Sequence, residues 1–382
     1  MQKRKFIKTS LQVGAGALLL PYLSCETPQE ENETMEVVSG LPKNWIWLKP
    51  ELGLSDEQWM DIFTKIRAAG IEAVLPQIYA SRKALFDWPG QPVEEKLLER
   101  LVPLAHAAGL QIHAWMWSMP CNDPTILEQH PDWYAVNRKG ESAATDPAYV
   151  DYYKFLCSRK EGVQNFVRTR VEALAKIEGL DGIHFDYIRL PDVILAEALQ
   201  PKYDIVQDQE FPEYDYCYCD DCRAQYKAQT GIDPMDIEDP AADETWYKFR
   251  YDGIVSLVNN HLAPAAKAGG KTVSAAVFPN WESVRQQWHR FELDAFLPML
   301  YQGFYNEDIA WVGEEVSKAK ERLKSVNNDK PVYSGLFINH LKPEEIATAI
   351  QSSKDGGAAG VCFFAYSSMK EEYWAVVPEL LK

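Results

Sequence analysis

The sequence is short of basic residues for its length. Its 382 residues include 39 Lys and Arg against 56 Asp and Glu, which gives a formal net charge of −17 at pH 7. Nucleic-acid binding needs clustered Lys and Arg to neutralise phosphates, so this balance argues against nucleic acid as a partner. It is compatible with a neutral or cationic substrate, or with an acidic surface that keeps the protein soluble.

The amino-terminal segment lacks a hydrophobic run long enough to span a bilayer. Its apolar stretch, Val13–Leu20, follows Lys3, Arg4 and Lys5 and precedes Ser24-Cys25. A spanning helix needs about 20 apolar residues. A basic start and a short apolar core are instead typical of a secretion signal.

The sequence around the first cysteine predicts a lipid anchor. Tyr22-Leu23-Ser24-Cys25 resembles a bacterial lipobox, with Tyr in place of the usual aliphatic residue. We therefore expect residues 1–24 to be a signal peptide, Cys25 to be lipidated, and residues 25–42 to form an acidic linker. The predicted location is the bacterial cell envelope, facing the periplasm or the cell surface, with residues 43–382 as the folded domain.

Internal repeats and low-complexity tracts are also absent, and short apolar runs alternate with amphipathic stretches throughout the domain. Most of the apolar runs lack clean alternation, as expected of parallel strands buried on both faces. Repeated strand–helix alternation predicts a (β/α)8 TIM barrel, with an open split sheet as the alternative. The predicted strands are Trp45–Leu48, Ala73–Tyr79, Gln111–Trp117, Gly182–Ile188, Thr272–Phe278, Ala295–Tyr301, Val332–Phe337 and Gly360–Tyr366.

Two connections are much longer than the others. They run from Ser118 to Gly162 after strand three and from Arg189 to Lys271 after strand four. The carboxyl ends of the strands are the face on which TIM barrels place their active sites. We therefore expect these insertions to build structure around the site.

The strongest local motif lies on predicted strand four, where His184 and Asp186 alternate with Ile183, Phe185 and Tyr187. One set must face the barrel interior, where a polar group costs free energy unless it is satisfied. A carboxylate at the carboxyl end of a barrel strand is a typical catalytic position. Alternatively, Asp186 pairs with Arg189 and has only a structural role.

This motif resembles the bacterial glycosyl-hydrolase-like family 10 proteins, whose strand-four signature has the form D-G-hydrophobic-H-hydrophobic-D-Y-hydrophobic-R-x-P. The resemblance covers most of residues 44–380 and implies a barrel fold and hydrolysis of O-glycosyl bonds. It is carried by Asp181, Gly182, His184, Asp186, Tyr187, Arg189 and Pro191, by Gln111–Trp115, by Trp288–Arg290 and by Asp294–Tyr301.

Comparison with family 18 chitinases limits the resemblance. Met299-Leu300-Tyr301 matches their strand-six motif, but Ile188 occupies the position of their acidic Glu. Substrate-assisted chitinase chemistry therefore cannot be carried over. A deacetylase-like or lyase barrel would need a metal on His184 and Asp186, and no further His ligand lies nearby in the sequence.

Glycoside hydrolysis normally uses two carboxyl groups. Asp186 is the predicted nucleophile or base, Glu282 after strand five is the preferred partner, and Asp123 is the second choice. His184 is expected to hold Asp186 or to act as an acid/base, or else to be a hydrogen-bonded core residue.

The remaining predicted site residues lie at strand ends, and aromatic rings among them offer flat faces to sugars. A catalytically inactive carbohydrate-binding lipoprotein is the alternative function, because no second Glu is obvious. The expected partners are a carbohydrate and, through the lipid, a membrane. The predicted substrate-binding residues are Gln77, Tyr79, Trp115, Trp117, Tyr187, Arg189, Trp281, Met299, Tyr301 and Gln302.

Cys217, Cys219 and Cys222 form a C-x-C-x-x-C cluster. Disulfides are the usual pairing in an exported protein, but three cysteines this close cannot all pair, and short spacing favours a tetrahedral thiolate site. Cys157 is the preferred fourth ligand and Cys121 the second choice. The order resembles that of family 42 β-galactosidases, which implies a structural zinc; disulfides remain the alternative. Four thiolates leave no open position, so this zinc would not be catalytic.

Overall fold

The computed structural model describes residues 39–381. The predicted signal peptide, Cys25 and the linker up to residue 38 lie outside the described residues. Within residues 39–381, no helix is both long and apolar enough to cross a membrane. The strands are β1 (Asn44–Leu48), β2 (Ala73–Tyr79), β3 (Gln111–Trp117), β4 (Gly182–Asp186), β5 (Thr272–Val277), β6 (Ala295–Pro298), β7 (Tyr333–Phe337) and β8 (Gly360–Phe364).

Helices separate the strands along the chain. The first begins with a capping box, in which the Ser55 side chain accepts from the Gln58 backbone and the Gln58 side chain accepts from the Ser55 backbone. The α-helices are α1 (Asp56–Ala68), α2 (Leu97–Ala107), α3 (Pro124–Gln129), α4 (Glu161–Ala175), α5 (Asp220–Thr230), α6 (Glu244–Leu257), α7 (Ala263–Ala268), α8 (Ala310–Ser325), α9 (Ile346–Asp355) and α10 (Glu371–Leu380). A π-helical turn, Val258–Leu262, joins α6 to α7.

The eight strands form one parallel sheet in the order β6-β5-β4-β3-β2-β1-β8-β7. Parallel bridges Phe296–Val332 and Met299–Gly335 connect β6 to β7 and bring the two edges together. The predicted (β/α)8 TIM barrel is confirmed, and the open-sheet alternative is wrong.

Side-chain alternation divides each strand between two cores. One set, including Trp45, Trp47, Leu75, Trp115 and Leu297, fills the barrel interior. The other set packs against the surrounding helices. Burial on both faces explains why most strands read as nearly continuous apolar runs.

The two long connections leave the carboxyl ends of β3 and β4, as predicted. The insertion after β3 contains α3, and the insertion after β4 contains α5, α6 and α7. Strand β4 ends at Asp186, before the predicted end at Ile188. Tyr187 has φ of 50°, in the left-handed region, and this backbone geometry is incompatible with an extended strand.

Candidate active site

Asp186 lies at the carboxyl end of β4, where its side chain is buried and held at both oxygens. Its Oδ2 accepts a hydrogen bond from Trp115 Nε1 at 2.9 Å. Its Oδ1 accepts from the Tyr187 backbone N–H at 2.7 Å. Burial raises the pKa of Asp186 to about 6, although these two hydrogen bonds and the charges of Arg189 and Lys49 act to lower it. A carboxyl group with this pKa can both donate and accept a proton near neutral pH.

The residue after Asp186 holds a strained backbone conformation. A φ of 50° is uncommon for a residue with a bulky side chain. The Tyr187 ring is 4.5 Å from the Trp117 ring, and its backbone N–H donates to Asp186. Such strain persists where surrounding contacts fix the residue, and it is frequent at functional sites.

His184 lies deeper in the barrel than Asp186, because both face inward and β4 ends at Asp186. It is fully buried. Its Nε2 accepts from Trp47 Nε1 at 3.1 Å, and its Nδ1 is 2.9 Å from Ser274 Oγ. Burial lowers the pKa of His184 to about 3. These contacts match the expectation of a neutral, hydrogen-bonded core histidine.

Inward-facing residues at the carboxyl ends of the strands form the outermost layer of the barrel interior, which we call the mouth. Three polar atoms in and beside it are buried without a hydrogen-bond partner among the described residues: Gln77 Nε2, Trp117 Nε1 and the Tyr301 hydroxyl. Unsatisfied buried polar groups are costly, and a bound ligand or water can satisfy them. The mouth consists of Lys49, Gln77, Trp117, Asp186, Met299, Phe337 and Phe364.

Aromatic side chains line both sides of the mouth. Trp117 is 5.5 Å from Tyr152 on the β3 side. On the opposite side, Phe364 is 5.8 Å from Phe337 and 5.7 Å from Tyr301. We did not predict Tyr152, Phe337 or Phe364 as site residues. The sequence could have identified Phe337 and Phe364. Each lies at the carboxyl end of a predicted strand, as Asp186 does, and simple alternation along the strand turns its side chain inward.

Tyr79 was predicted to line the pocket, but its ring lies outside the strand ring. The β2–β3 register shifts between Gln77 and Tyr79, so Gln77 pairs with Trp115 while Tyr79 pairs with Met116. This irregularity turns Tyr79 towards the helices, where the Arg170 guanidinium lies 3.8 Å from its ring. Because of this register shift, the Tyr79 side chain lies on the opposite face of the sheet from the one that simple alternation predicts.

Arg189 is buried next to the mouth and forms an ion pair. Its Nη1 is 2.9 Å from Asp192 Oδ2, and its Nη2 is 3.3 Å from the Tyr153 hydroxyl. The guanidinium also lies 4.9 Å from the Tyr187 ring. Arg189 therefore stabilises the segment after β4 and adds positive charge near Asp186. Its ion-pair partner is Asp192 rather than Asp186.

Glu282 is exposed on a short 3-10 turn after β5. Burial of part of its side chain raises its pKa, and the charged groups around it are Arg322, Glu315 and Arg285. Its neighbour Trp281 contacts Tyr251, with ring centroids 5.1 Å apart. These surroundings lie towards α6 and α8 rather than the mouth.

The other predicted residues have defined positions. Asp123 is buried and caps α3 by accepting from the Thr125 backbone N–H at 2.8 Å. Gln302 Nε2 donates to the His340 carbonyl at 3.2 Å. Met299 contacts the interior core at the end of β6. The structure therefore brings Gln77, Trp115, Trp117, Asp186, Tyr187, Met299 and Tyr301 together. It places Trp281, Glu282 and Asp123 elsewhere, and Tyr79 borders a neighbouring cavity rather than the mouth.

The four predicted metal ligands form one buried cluster. The sulfur atoms of Cys157, Cys217, Cys219 and Cys222 all lie within 4.8 Å of one another. The Cys157 sulfur is 3.4 Å from that of Cys222 and 3.6 Å from that of Cys219. Disulfide sulfurs are about 2.05 Å apart, whereas four sulfurs about 2.3 Å from one zinc stand about 3.8 Å apart. These cysteines are free thiols, and the donor set fits zinc.

Positive charge lies next to the cysteine cluster. Arg159 and Lys160 follow Cys157, and Lys160 Nζ forms an ion pair with Asp221. Side-chain hydrogen bonding with Cys157, Cys217 and Cys222 lowers the pKa of Cys219. A zinc with four thiolates carries a net negative charge, which these cations would offset. The cluster would then join the segment before α4 to the start of α5.

No protein-family model matches the sequence, and no curated protein matches it. Solved structures resemble it in fold. The PgaB (BpsB) glycoside hydrolase domain from Bordetella bronchiseptica has a TM-score of 0.65 at 14% identity, over 88% of this chain and 96% of that one. The β-amylase catalytic domain from Paenibacillus polymyxa has a TM-score of 0.58 at 9% identity, over 87% and 94%.

A β-galactosidase from Halorubrum lacusprofundi has a TM-score of 0.62 at 14% identity, over 89% of this chain. The chain spans 57% of that enzyme's length. At these identities the similarity shows the fold, which this chain shares with glycoside hydrolases.

Proposed function

We propose that this protein is a glycoside hydrolase that cleaves an O-glycosyl bond of an oligo- or polysaccharide at the mouth. The observation that carries the proposal is the buried carboxyl group of Asp186 at the end of β4, with its pKa raised to about 6. The resemblance to glycosyl-hydrolase-like family 10 proteins and the shared fold support it.

The surroundings of Asp186 suit acid–base chemistry. Two hydrogen bonds fix the carboxyl group, so its orientation does not depend on substrate. When protonated, it can donate to the leaving oxygen; when ionised, it can accept a proton from water. Trp117 and Phe364 are partly exposed aromatic residues of the mouth, and sugars can stack on aromatic rings.

Hydrolysis also needs a second carboxyl group, and we retain Glu282 as its proposed source. Movement of the turn Trp281–Val284 would be required, because Glu282 has Arg322, Glu315 and Arg285 as its charged neighbours. The same observation favours a second candidate function, a barrel that binds carbohydrate without cleaving it.

The test is a screen of polysaccharides and aryl glycosides with the native protein, Asp186→Asn and Glu282→Gln. Loss of a positioned acid or base lowers the rate by about 10²- to 10⁴-fold, and we expect Asp186→Asn to lose that much. Asp61→Asn, an exposed acid on α1, is the matched control and should keep full activity.

Three results decide between the two functions and define the role of Asp186. Equal hydrolysis by the native protein and Asp186→Asn would remove Asp186 from the mechanism. Glycan binding without hydrolysis would favour the carbohydrate-binding function. The pH profile then assigns the role of Asp186: activity falls above about pH 6 if its protonated form is required, and below about pH 6 if its carboxylate is required.

We also propose that Cys157, Cys217, Cys219 and Cys222 hold one structural zinc. The buried position and the four-sulfur donor set support this assignment. Such an ion would supply folding energy rather than activate water, because four protein ligands complete its tetrahedral coordination.

A further inference from the structure

A cavity of about 430 Å³ opens at the carboxyl ends of β1 and β2. It lies on the same face of the barrel as Asp186 and shares Lys49 and Gln77 with the mouth. Its lining includes Lys49, Gln77, Arg82, Lys83 and Glu94. No residue of the proposed catalytic pair lines it.

The charge in this cavity is opposite in sign to that of the whole protein. Lys49 and Arg82 are exposed and have no ion-pair partner among the described residues. Lys83 is 3.8 Å from Glu94, but both side chains are about half exposed, and such pairs contribute little. The cavity is therefore locally cationic in a chain with a net charge of −17.

Gln77 adds a neutral donor to these two cations. Its Nε2 is buried and has no hydrogen-bond partner within residues 39–381. Gln77, Lys49 and Arg82 line the same cavity, and an amide, an ammonium and a guanidinium are donors suited to the oxygens of a carboxylate or sulfate. The set contains more unsatisfied donors than acceptors, which favours an anionic ligand.

The loop that carries Arg82 is held in a fixed conformation. Ser81 is buried and has φ of 77°, in the left-handed region. The Asn122 backbone N–H donates to the Ser81 carbonyl at 2.6 Å, and Asn122 Nδ2 donates to Ser81 Oγ at 3.0 Å. Strain that is stabilised in this way fixes a loop in advance of ligand binding.

The cationic cavity is electrostatically connected to the proposed catalytic group. Lys49 Nζ lies 5.9 Å from the centre of the Phe364 ring, which faces the mouth. The positive charge of Lys49 also acts to lower the pKa of Asp186. Because Lys49 lines the cavity and contacts Phe364 in the mouth, a ligand group held by Lys49 would lie beside the mouth.

We propose that this cavity is a subsite for an anionic substituent, a carboxylate or a sulfate, on the sugar chain bound at the mouth. The substrate class is thus an acidic glycan. This inference rests on the proposed function and narrows it. The net charge alone favoured a neutral or cationic substrate, but charges farther away than about 8 Å are largely screened at physiological salt, so the local cations decide.

The test is affinity electrophoresis of the native protein in gels that contain matched glycan pairs. The carboxylate pair is homogalacturonan and its methyl-esterified form, and the sulfate pair is dextran sulfate and dextran. Alginate, hyaluronan and κ-carrageenan extend the acidic panel. We expect retention by acidic glycans and not by the neutral forms, and retention should weaken as salt is added.

A double variant then links retention to the cavity. Lys49→Gln combined with Arg82→Gln should weaken binding to the glycan that retains the native protein by at least about tenfold, because both charge-assisted contacts are lost. Lys354→Gln, an exposed lysine on α9 without a described partner, is the matched control and should bind as the native protein does. The glycan pair whose acidic member retains the protein identifies the bound group as a carboxylate or a sulfate.

Three outcomes would overturn the inference: equal retention by acidic and neutral forms, unchanged retention of the double variant, or no retention by any acidic glycan in the panel. The hydrolase proposal fails independently. If the protein cleaves neutral glycans only, the anionic subsite is rejected and the hydrolase proposal stands. If the protein is retained through the cavity but cleaves no glycan, the subsite stands and the hydrolase proposal is rejected.

Discussion

The pKa of about 6 for Asp186 means that burial outweighs two hydrogen bonds and two nearby cations. Proteins tolerate such a cost where a carboxyl group has a function. The pH dependence of the free energy of unfolding measures this cost. Because the folded state raises the pKa above its ordinary value, the folded state binds the proton more tightly, and stability is lost as pH rises from about 4 to about 6.

Asp186→Asn should therefore be more stable than the native protein at pH 8. We expect a gain of about 1 to 2 kcal/mol in the free energy of unfolding, since the amide removes a buried charge but loses one hydrogen bond. Urea unfolding at pH 8 and pH 4 measures this, and the gain should vanish at pH 4.

Asp61→Asn is the control for this experiment, and its stability should follow that of the native protein at both pH values. A variant that is less stable at pH 8 would contradict the burial cost. Together with lost activity, increased stability would show that Asp186 is kept for function rather than for folding.

The insertion after β4 depends on elements that are far apart in the sequence. Asp215 accepts from Arg250 on α6 and from the Tyr218 hydroxyl at 2.6 Å. Arg285, after β5, is 3.6 Å from Asp215. All three charged side chains are buried, so within the insertion this network fixes the segment around Asp215 to α6, and it also joins that segment to the turn after β5.

Asp215→Asn should destabilise the protein by about 3 to 5 kcal/mol, because it leaves two buried guanidinium groups without one counter-charge. Urea unfolding measures the change. Asp236→Asn, an exposed acid in the same insertion, is the control and should change stability by less than about 0.5 kcal/mol. Equal effects of the two variants would mean that the network contributes no stability.

The cysteine cluster connects the same insertion to the segment before α4. We expect about one zinc per chain in purified protein, measured by inductively coupled plasma mass spectrometry. Cys157→Ser should lose the zinc and about 3 kcal/mol or more of stability, because metal binding contributes directly to folding. Cys121→Ser removes a buried thiol outside the cluster and should keep the zinc. Loss of zinc in Cys121→Ser alone would contradict the assignment.

At the scale of the whole molecule, we propose that the barrel is exported and tethered by a lipid on Cys25. Expression of the full chain in a Gram-negative host should place it in the membrane fraction. Cys25→Ala should move most of it to the soluble fraction, because the acyl chains would be absent. Immunoblots of the two fractions measure this, with Cys121→Ser as the control. Soluble native protein would reject the lipid anchor.

The sequence predicted the barrel correctly because the alternation of short apolar strand segments with amphipathic helical segments can be seen locally along the chain. The bounds of β2 and β3 agree with the predicted ones, and β1, β5 and β7 differ at one end by one residue. The end of β4 could not be predicted, because the left-handed conformation of Tyr187 depends on its contact with Trp117 and its bond to Asp186.

By itself, the sequence determined the fold class, the position of Asp186 near the carboxyl end of strand four and the three cysteines Cys217, Cys219 and Cys222 of the cluster. Each follows from periodicity or from motif spacing along the chain. Only the tertiary structure decided which side chains share the mouth. The register shift in β2 turned Tyr79 away, and the turn after β5 directed Glu282 towards α8. The pairing of β7 with β8 brought Phe337 next to Phe364. These placements depend on contacts between elements that are distant in sequence, and local sequence patterns do not predict such contacts.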